Sequence, residues 1–109
     1  MSAKVETSVG DDVVQISVSG ELRLNTVAAV NRSVNLSSFG QRHIDIELGA
    51  VTDADSAGLA LCVEWLAQAR DNHATVEFTN VPDVLSRIAR VNKLDDIYRA
   101  STNPMSTTD

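Results

Sequence analysis

Val51-Thr52-Asp53-Ala54-Asp55-Ser56-Ala57-Gly58-Leu59-Ala60-Leu61-Cys62 is the stretch around which the rest of the chain is organised. Within it Asp55-Ser56-Ala57-Gly58 joins an expected strand to the most strongly patterned helix in the sequence. A hydroxyl is thereby set between acidic side chains where a helix opens and backbone N–H groups lack partners. Asp or Ser at such a position is an ordinary cap, contributing about 1 kcal/mol. The same placement also suits a docking point or a switch.

Downstream of this stretch, Leu59, Cys62, Val63 and Leu66 recur at i, i+3, i+4 and i+7, which predicts a helix over about 56–70 with that line as its core face. Leu61 and Trp65 fall on a second line, beside Glu64 and Gln68. Asp71-Asn72-His73 breaks the pattern before a short strand carrying Val76 and Phe78 on one face. Asn80-Val81-Pro82 opens a further helix, with Pro82 suited to its first turn and Leu85, Ile88 and Ala89 as its inner stripe. Leu94, Ile97 and Tyr98 close the domain, and residues 99–109 are polar and without periodicity, the composition of a disordered tail.

Upstream, residues 43–48 alternate Ile44, Ile46 and Leu48 against His43, Asp45 and Glu47, which predicts a strand with one solvated face. Gly10-Asp11-Asp12 is turn chemistry between residues 4–9 and Val14, Ile16 and Val18, so a hairpin is expected, its second strand ending at Ser19-Gly20. Asn25 is placed to cap a helix that carries Val27, Val30 and Val34 and runs to about Leu36, with a break over 37–41. The order is β-β-α-β-α-β-α. Strands alternating with helices imply an α/β domain with a mixed sheet of four strands, five as the alternative, and three or four helices mainly on one side. Residues 1–98 form the expected domain. Its solvated sheet face leaves room for a homodimer.

Composition narrows the function. With 9 Lys plus Arg against 15 Asp plus Glu, the net charge of -6 in 109 residues repels phosphate backbones and argues against general nucleic-acid binding. Neither a signal-peptide pattern nor an apolar run near the roughly 20 residues of a membrane span is present, so a cytoplasmic protein is expected. The single Cys62 lies in an apolar helical pattern and reads as a buried structural thiol. His43 and His73 lack metal-ligand spacing, the five glycines are isolated, and no nucleophile, base and orienting acid assemble. No metal, cofactor or catalytic residue is therefore assigned.

The order of elements, Val18-Ser19-Gly20-Glu21-Leu22, and a third strand running into Asp55-Ser56-Ala57-Gly58-Leu59 resemble the STAS domains, named for sulfate transporters and anti-sigma-factor antagonists. The resemblance covers roughly residues 4–98. Within that family, residues 58–61, 67–70 and 87–96 look most like the MlaB group, the cytoplasmic STAS subunits of bacterial Mla phospholipid ABC transporters. The resemblance implies a non-catalytic interaction subunit, held at the inner membrane through a complex with the transporter's ATPase subunit, which supports outer-membrane lipid asymmetry. The alternative it implies is an anti-sigma-factor antagonist that binds an anti-sigma factor kinase and is regulated by phosphorylation of Ser56. In either case Ser56 matches the family's functional Ser/Thr position.

The same residues have plainer readings. Ser56 or Asp55 caps the helix; Gly58 permits a tight strand-to-helix passage; Leu61 and Trp65 either widen the core face or form an apolar patch beside Ser56. As a docking surface the residues are Asp53, Asp55, Ser56, Ala57, Gly58, Leu61 and Trp65. Asp53 and Asp55 would repel a phosphate, which favours constitutive binding over a switch, and as paired carboxylates they also suggest a small enzyme. Arg87, Arg90 and Lys93 read as a solvated helix face or a contact for a membrane or an acidic partner.

Overall fold

Gly10 turns the chain back on itself, its N–H donating to the carbonyl of Val13 at 2.9 Å. The turn joins β1 (Ala3–Val9) to β2 (Val13–Leu22) as an antiparallel pair. The computed structural model describes residues 3–94 and 96–98. In it α1 (Val27–Ser33) and a 3-10 turn (Leu36–Phe39) lead to β3 (His43–Ala54), followed by α2 (Ser56–Asp71), β4 (Thr75–Thr79) and α3 (Asp83–Val91). The sheet is four-stranded in the order β1-β2-β3-β4, with β3 parallel to both β2 and β4. The expected mixed sheet and element order are observed. The expected tail, 99–109, lies outside the described residues.

Alternation along the strands decides which face the helices cover. Val14, Ile16, Val18, Ile44, Ile46, Leu48, Val76 and Phe78 are buried beneath them, together with Val30, Leu59, Cys62, Trp65, Leu85 and Ala89 from the helices. Tyr98, in the short helical turn at 96–98, closes onto this core edge-on to Phe78, with ring centroids 5.4 Å apart and planes at 85°. The opposite face is polar. There His43 Nδ1 lies 2.7 Å from Thr75 Oγ1, and Glu47 accepts from Thr79 Oγ1 at 3.0 Å and from Asn80 Nδ2 at 2.8 Å.

Two strands run further than the alternation suggested, and both extensions matter to the site. β2 does not end at Ser19-Gly20 but continues to Leu22, with Gly20 at φ 92°. β3 continues past Gly49 because it carries two extra residues relative to β2: Ser17 pairs with Glu47 but Ser19 with Ala50, and Gly20 pairs with Val51 but Glu21 with Asp53. Each bulge shifts the inward phase by one residue, so burial steps from Leu48 to Val51 to Ala54 rather than by twos. The strand therefore delivers Asp53 opposite Glu21, at the end of the sheet.

The first helix also departs from expectation. Thr26, not Asn25, precedes it; its buried hydroxyl accepts from the Arg23 N–H at 2.9 Å and donates to the Glu21 carbonyl at 2.6 Å, which ties down the β2–α1 loop. The helix stops at Ser33 because Val34 is extended (φ -129°, ψ 120°) and Asn35 caps the following 3-10 turn, accepting from the Ser37 N–H at 3.2 Å.

Candidate functional site

The end of β3 and the start of α2 meet the end of β2 and the loop that leaves it. Asp55 joins the two halves. Its own N–H donates to the Leu22 carbonyl at 3.2 Å, one carboxylate oxygen accepts from the Ala57 N–H at 2.9 Å, and the other accepts from the Leu24 N–H at 3.1 Å. Asp55 is thus the helix cap, and Ser56 is left as the first helical residue. The Ser56 side chain is exposed, and its hydroxyl makes no hydrogen bond among the described residues. Ala57 is half-buried beside it.

Gly58 is required by the closeness of this junction. A Cβ there would sit 2.6 Å from the Leu22 carbonyl oxygen and 3.0 Å from Leu22 Cβ, so any side chain would push α2 off the end of β2. The tight passage expected from the sequence is present, and the glycine is buried within it rather than offered to a partner.

The two acids differ from their expected role. Asp53 Oδ2 lies 2.6 Å from Arg23 Nη1 in a salt bridge, and both oxygens of Asp55 are held by backbone donors. Partial burial pulls the Asp55 carboxyl upward, but the N–H groups of Leu24, Ala57 and Gly58 and the charge of Arg23 outweigh it and hold the group below the usual carboxylate range. The Arg23 guanidinium offsets the charge of Asp53, while Asp55 keeps its negative charge in the position before Ser56. Asp55 is committed to backbone donors and Asp53 is paired with Arg23, so the two do not stand as a free carboxylate pair, which removes the support for a paired-carboxylate enzyme.

Leu61 and Trp65 are not an exposed patch. They are 5% and 0% exposed and belong to the core. The helix buries Gly58, Leu61, Cys62, Trp65 and Ala69 along with Leu59, while Val63, expected inside, is 38% exposed. The reason is that α2 has α1, the 3-10 turn and α3 as neighbours as well as the sheet, so its buried arc is wide. Cys62 is a buried thiol as expected; burial pushes it up to about 12, partly offset by a hydrogen bond with Tyr98, so it is not a nucleophile at neutral pH.

What replaces the expected patch is Leu24. It is 77% exposed in the loop after β2, next to the backbone N–H that Asp55 holds. A shallow cleft of about 340 Å³ runs from it between α1 and α2, lined in part by Val27, Ala28, Ala57, Ala60 and the edge of Leu61. Arg23 and Leu24 are the residues that sequence reasoning missed. Leu22 and Leu24 sit two apart, as if on one strand face, and no local signal shows that the first is buried and the second turned out. Among the described residues no helix is long and apolar enough to cross a membrane, and no group of three or more His, Cys, Asp or Glu side chains is placed to hold a metal ion.

Comparison with known proteins agrees with this arrangement. A family model described as "Mlab, STAS domain" matches residues 5–99. The anti-sigma-B factor antagonist of Staphylococcus aureus (strain NCTC 8325) is 29% identical over 102 residues, covering 93% of this chain and 94% of the relative. That of Staphylococcus epidermidis is 28% identical over the same length, with the same coverage of both chains. Among solved structures, an anti-sigma factor antagonist from Mycobacterium paratuberculosis superposes with a TM-score of 0.71 at 20% identity, over 88% of this chain and 82% of the other. The antagonist SpoIIAA in its unphosphorylated form gives 0.66 at 17% identity, over 86% and 83%. These two likenesses establish the shared fold.

Proposed function

We propose that this chain, which belongs to the STAS domain family, is a non-catalytic docking protein of the anti-sigma-factor-antagonist kind, contacting its partner through Ser56, the start of α2 and the Leu24 loop. The observation that carries the reading is the exposed, unbonded Ser56 hydroxyl on a helix start whose neighbouring acids are already engaged. A hydroxyl in that position is open to a kinase, and phosphorylation there would add roughly two negative charges to the surface that docks. The γ-phosphoryl of ATP would pass to Ser56 Oγ, the hydroxyl proton going to a base on the kinase and ADP leaving. The partner is then an anti-sigma factor that is also the kinase. The curated relatives named as anti-sigma-B factor antagonists support this partner class.

A second reading rests on the description of the matching family model: an MlaB-like subunit that binds the ATPase of a phospholipid ABC transporter through the same surface. The two readings separate in a direct capture experiment with purified proteins, one arm holding the anti-sigma factor kinase and the other the transporter ATPase from the same genome. The kinase arm is expected to retain the chain, and Leu24→Asp to abolish retention with unchanged circular dichroism. Retention by the ATPase alone would replace the first reading with the second. Undiminished retention of Leu24→Asp would remove the proposed surface.

A further inference from the structure

We infer that Arg23 is the phosphate-reading residue of this site, exchanging its ion pair with Asp53 for one with a phosphate on Ser56. The inference rests on the reading of Ser56 as a phosphorylation site and adds what holds the group once it is there. A helix start ordinarily offers its own N–H groups to a phosphate, but here those after Ser56 are taken. The Ala57 N–H donates to the Asp55 side chain at 2.9 Å, and those of Gly58 and Leu59 point to the Asp55 carbonyl at 2.9 and 3.4 Å. A phosphate on Ser56 is therefore left with the N–H of Ser56 itself, and a side-chain cation is needed to balance its charge.

Only one cation lies in the segments that meet at this corner, residues 21–25 and 53–57, and it is Arg23. Arg70 is at the far end of α2, roughly 20 Å along the axis at 1.5 Å per residue. Arg23 and Asp55 line one surface recess with Leu24 and Asn25, and Asp55 is the residue before Ser56. The existing pair is exchangeable: the side chains of Arg23 and Asp53 are 43% and 47% exposed, and a pair that wet contributes little. A doubly charged phosphate with three acceptor oxygens is the stronger guanidinium partner, and Asp53 can be left in water at small cost.

The exchange needs only the side chain to move. The Arg23 backbone is anchored on both sides, its N–H donating to Thr26 Oγ1 at 2.9 Å and its carbonyl accepting from the N–H groups of Thr26 and Val27 at 2.9 and 3.0 Å. Because Leu24 is the next residue, the guanidinium swings beside the exposed leucine that the docking reading depends on. Phosphorylation thus changes the charge pattern next to Leu24 as well as at Ser56.

The test uses the full chain with phosphoserine inserted at position 56 during translation, so no kinase is needed. Titration of the phosphate by phosphorus NMR is expected to give a second ionisation below its ordinary value of about 6. Arg23→Gln should raise that value by about half a unit, the size an exposed ion pair supports, Arg23→Lys should restore part of it, and Asp53→Asn should lower it further by removing the competitor. An identical titration in the parent and in Arg23→Gln would overturn the inference. Failure of the kinase to modify Ser56 would instead sink the reading it rests on.

Discussion

Asp55 does more for this corner than any other residue. It closes the first turn of α2 with one oxygen and holds the Leu24 loop with the other, thirty-one residues away in sequence. Its lowered folded value fixes the sign of the pH dependence. The stabilisation is complete above the ordinary carboxylate range, where both folded and unfolded forms are ionised, and is lost as pH falls through the folded value. Asp55→Ala is therefore expected to lower unfolding free energy by about 1 kcal/mol at neutral pH, and the deficit should shrink as the solution is acidified. Urea denaturation at pH 7 and at low pH checks this, and a deficit that stays constant would show that the cap acts through something other than its charge. The sequence showed that an acid and a hydroxyl open the helix. It left open which of them caps, because that depends on the Leu24 N–H, and Arg23 as the partner of Asp53 is equally non-local.

At the level of elements, helix existence and order were legible and phase was less so. Counting the α2 stripe from Leu59 places Val63 inside, whereas counting from Gly58 gives Leu61, Cys62, Trp65 and Ala69 at i+3, i+4, i+7 and i+11, which together with Leu59 make the buried set. A glycine carries no hydrophobic signal, so the line that starts on it is hard to see; it is there because β2 passes too close for a Cβ. The bulges of β3 hid the end of that strand in the same way, by breaking period two without breaking the ladder. Trp65 tests the corrected phase. It is fully buried, and its Nε1 is without a hydrogen-bond partner among the described residues. Trp65→Ala should cost about 3–5 kcal/mol, and Trp65→Phe clearly less, since it keeps most of the packing and removes a buried donor left unsatisfied. Chemical denaturation midpoints decide this, and a near-neutral Trp65→Ala would return the residue to the surface.

On the scale of the whole molecule, the sheet and its covering helices form a scaffold that brings two loops distant in sequence to one corner. The alternation of polar and apolar residues was enough to predict a sheet with one solvated face, and the stretch at residues 51–62 was enough to locate the corner. The identity of the exposed apolar residue was not available from either, since Leu24 is turned outward by the end of β2 and by the bonds of the Thr26 hydroxyl to Arg23 and Glu21 rather than by anything in its own neighbourhood. Ser56 and Leu24 together form the proposed docking surface. The most direct measurement is calorimetric titration of the anti-sigma factor proposed as its partner with this chain, once unmodified and once carrying phosphoserine at position 56. At least a tenfold weaker dissociation constant for the phosphorylated form, about 1.4 kcal/mol, is the predicted result. Equal affinity of the two forms would contradict the account.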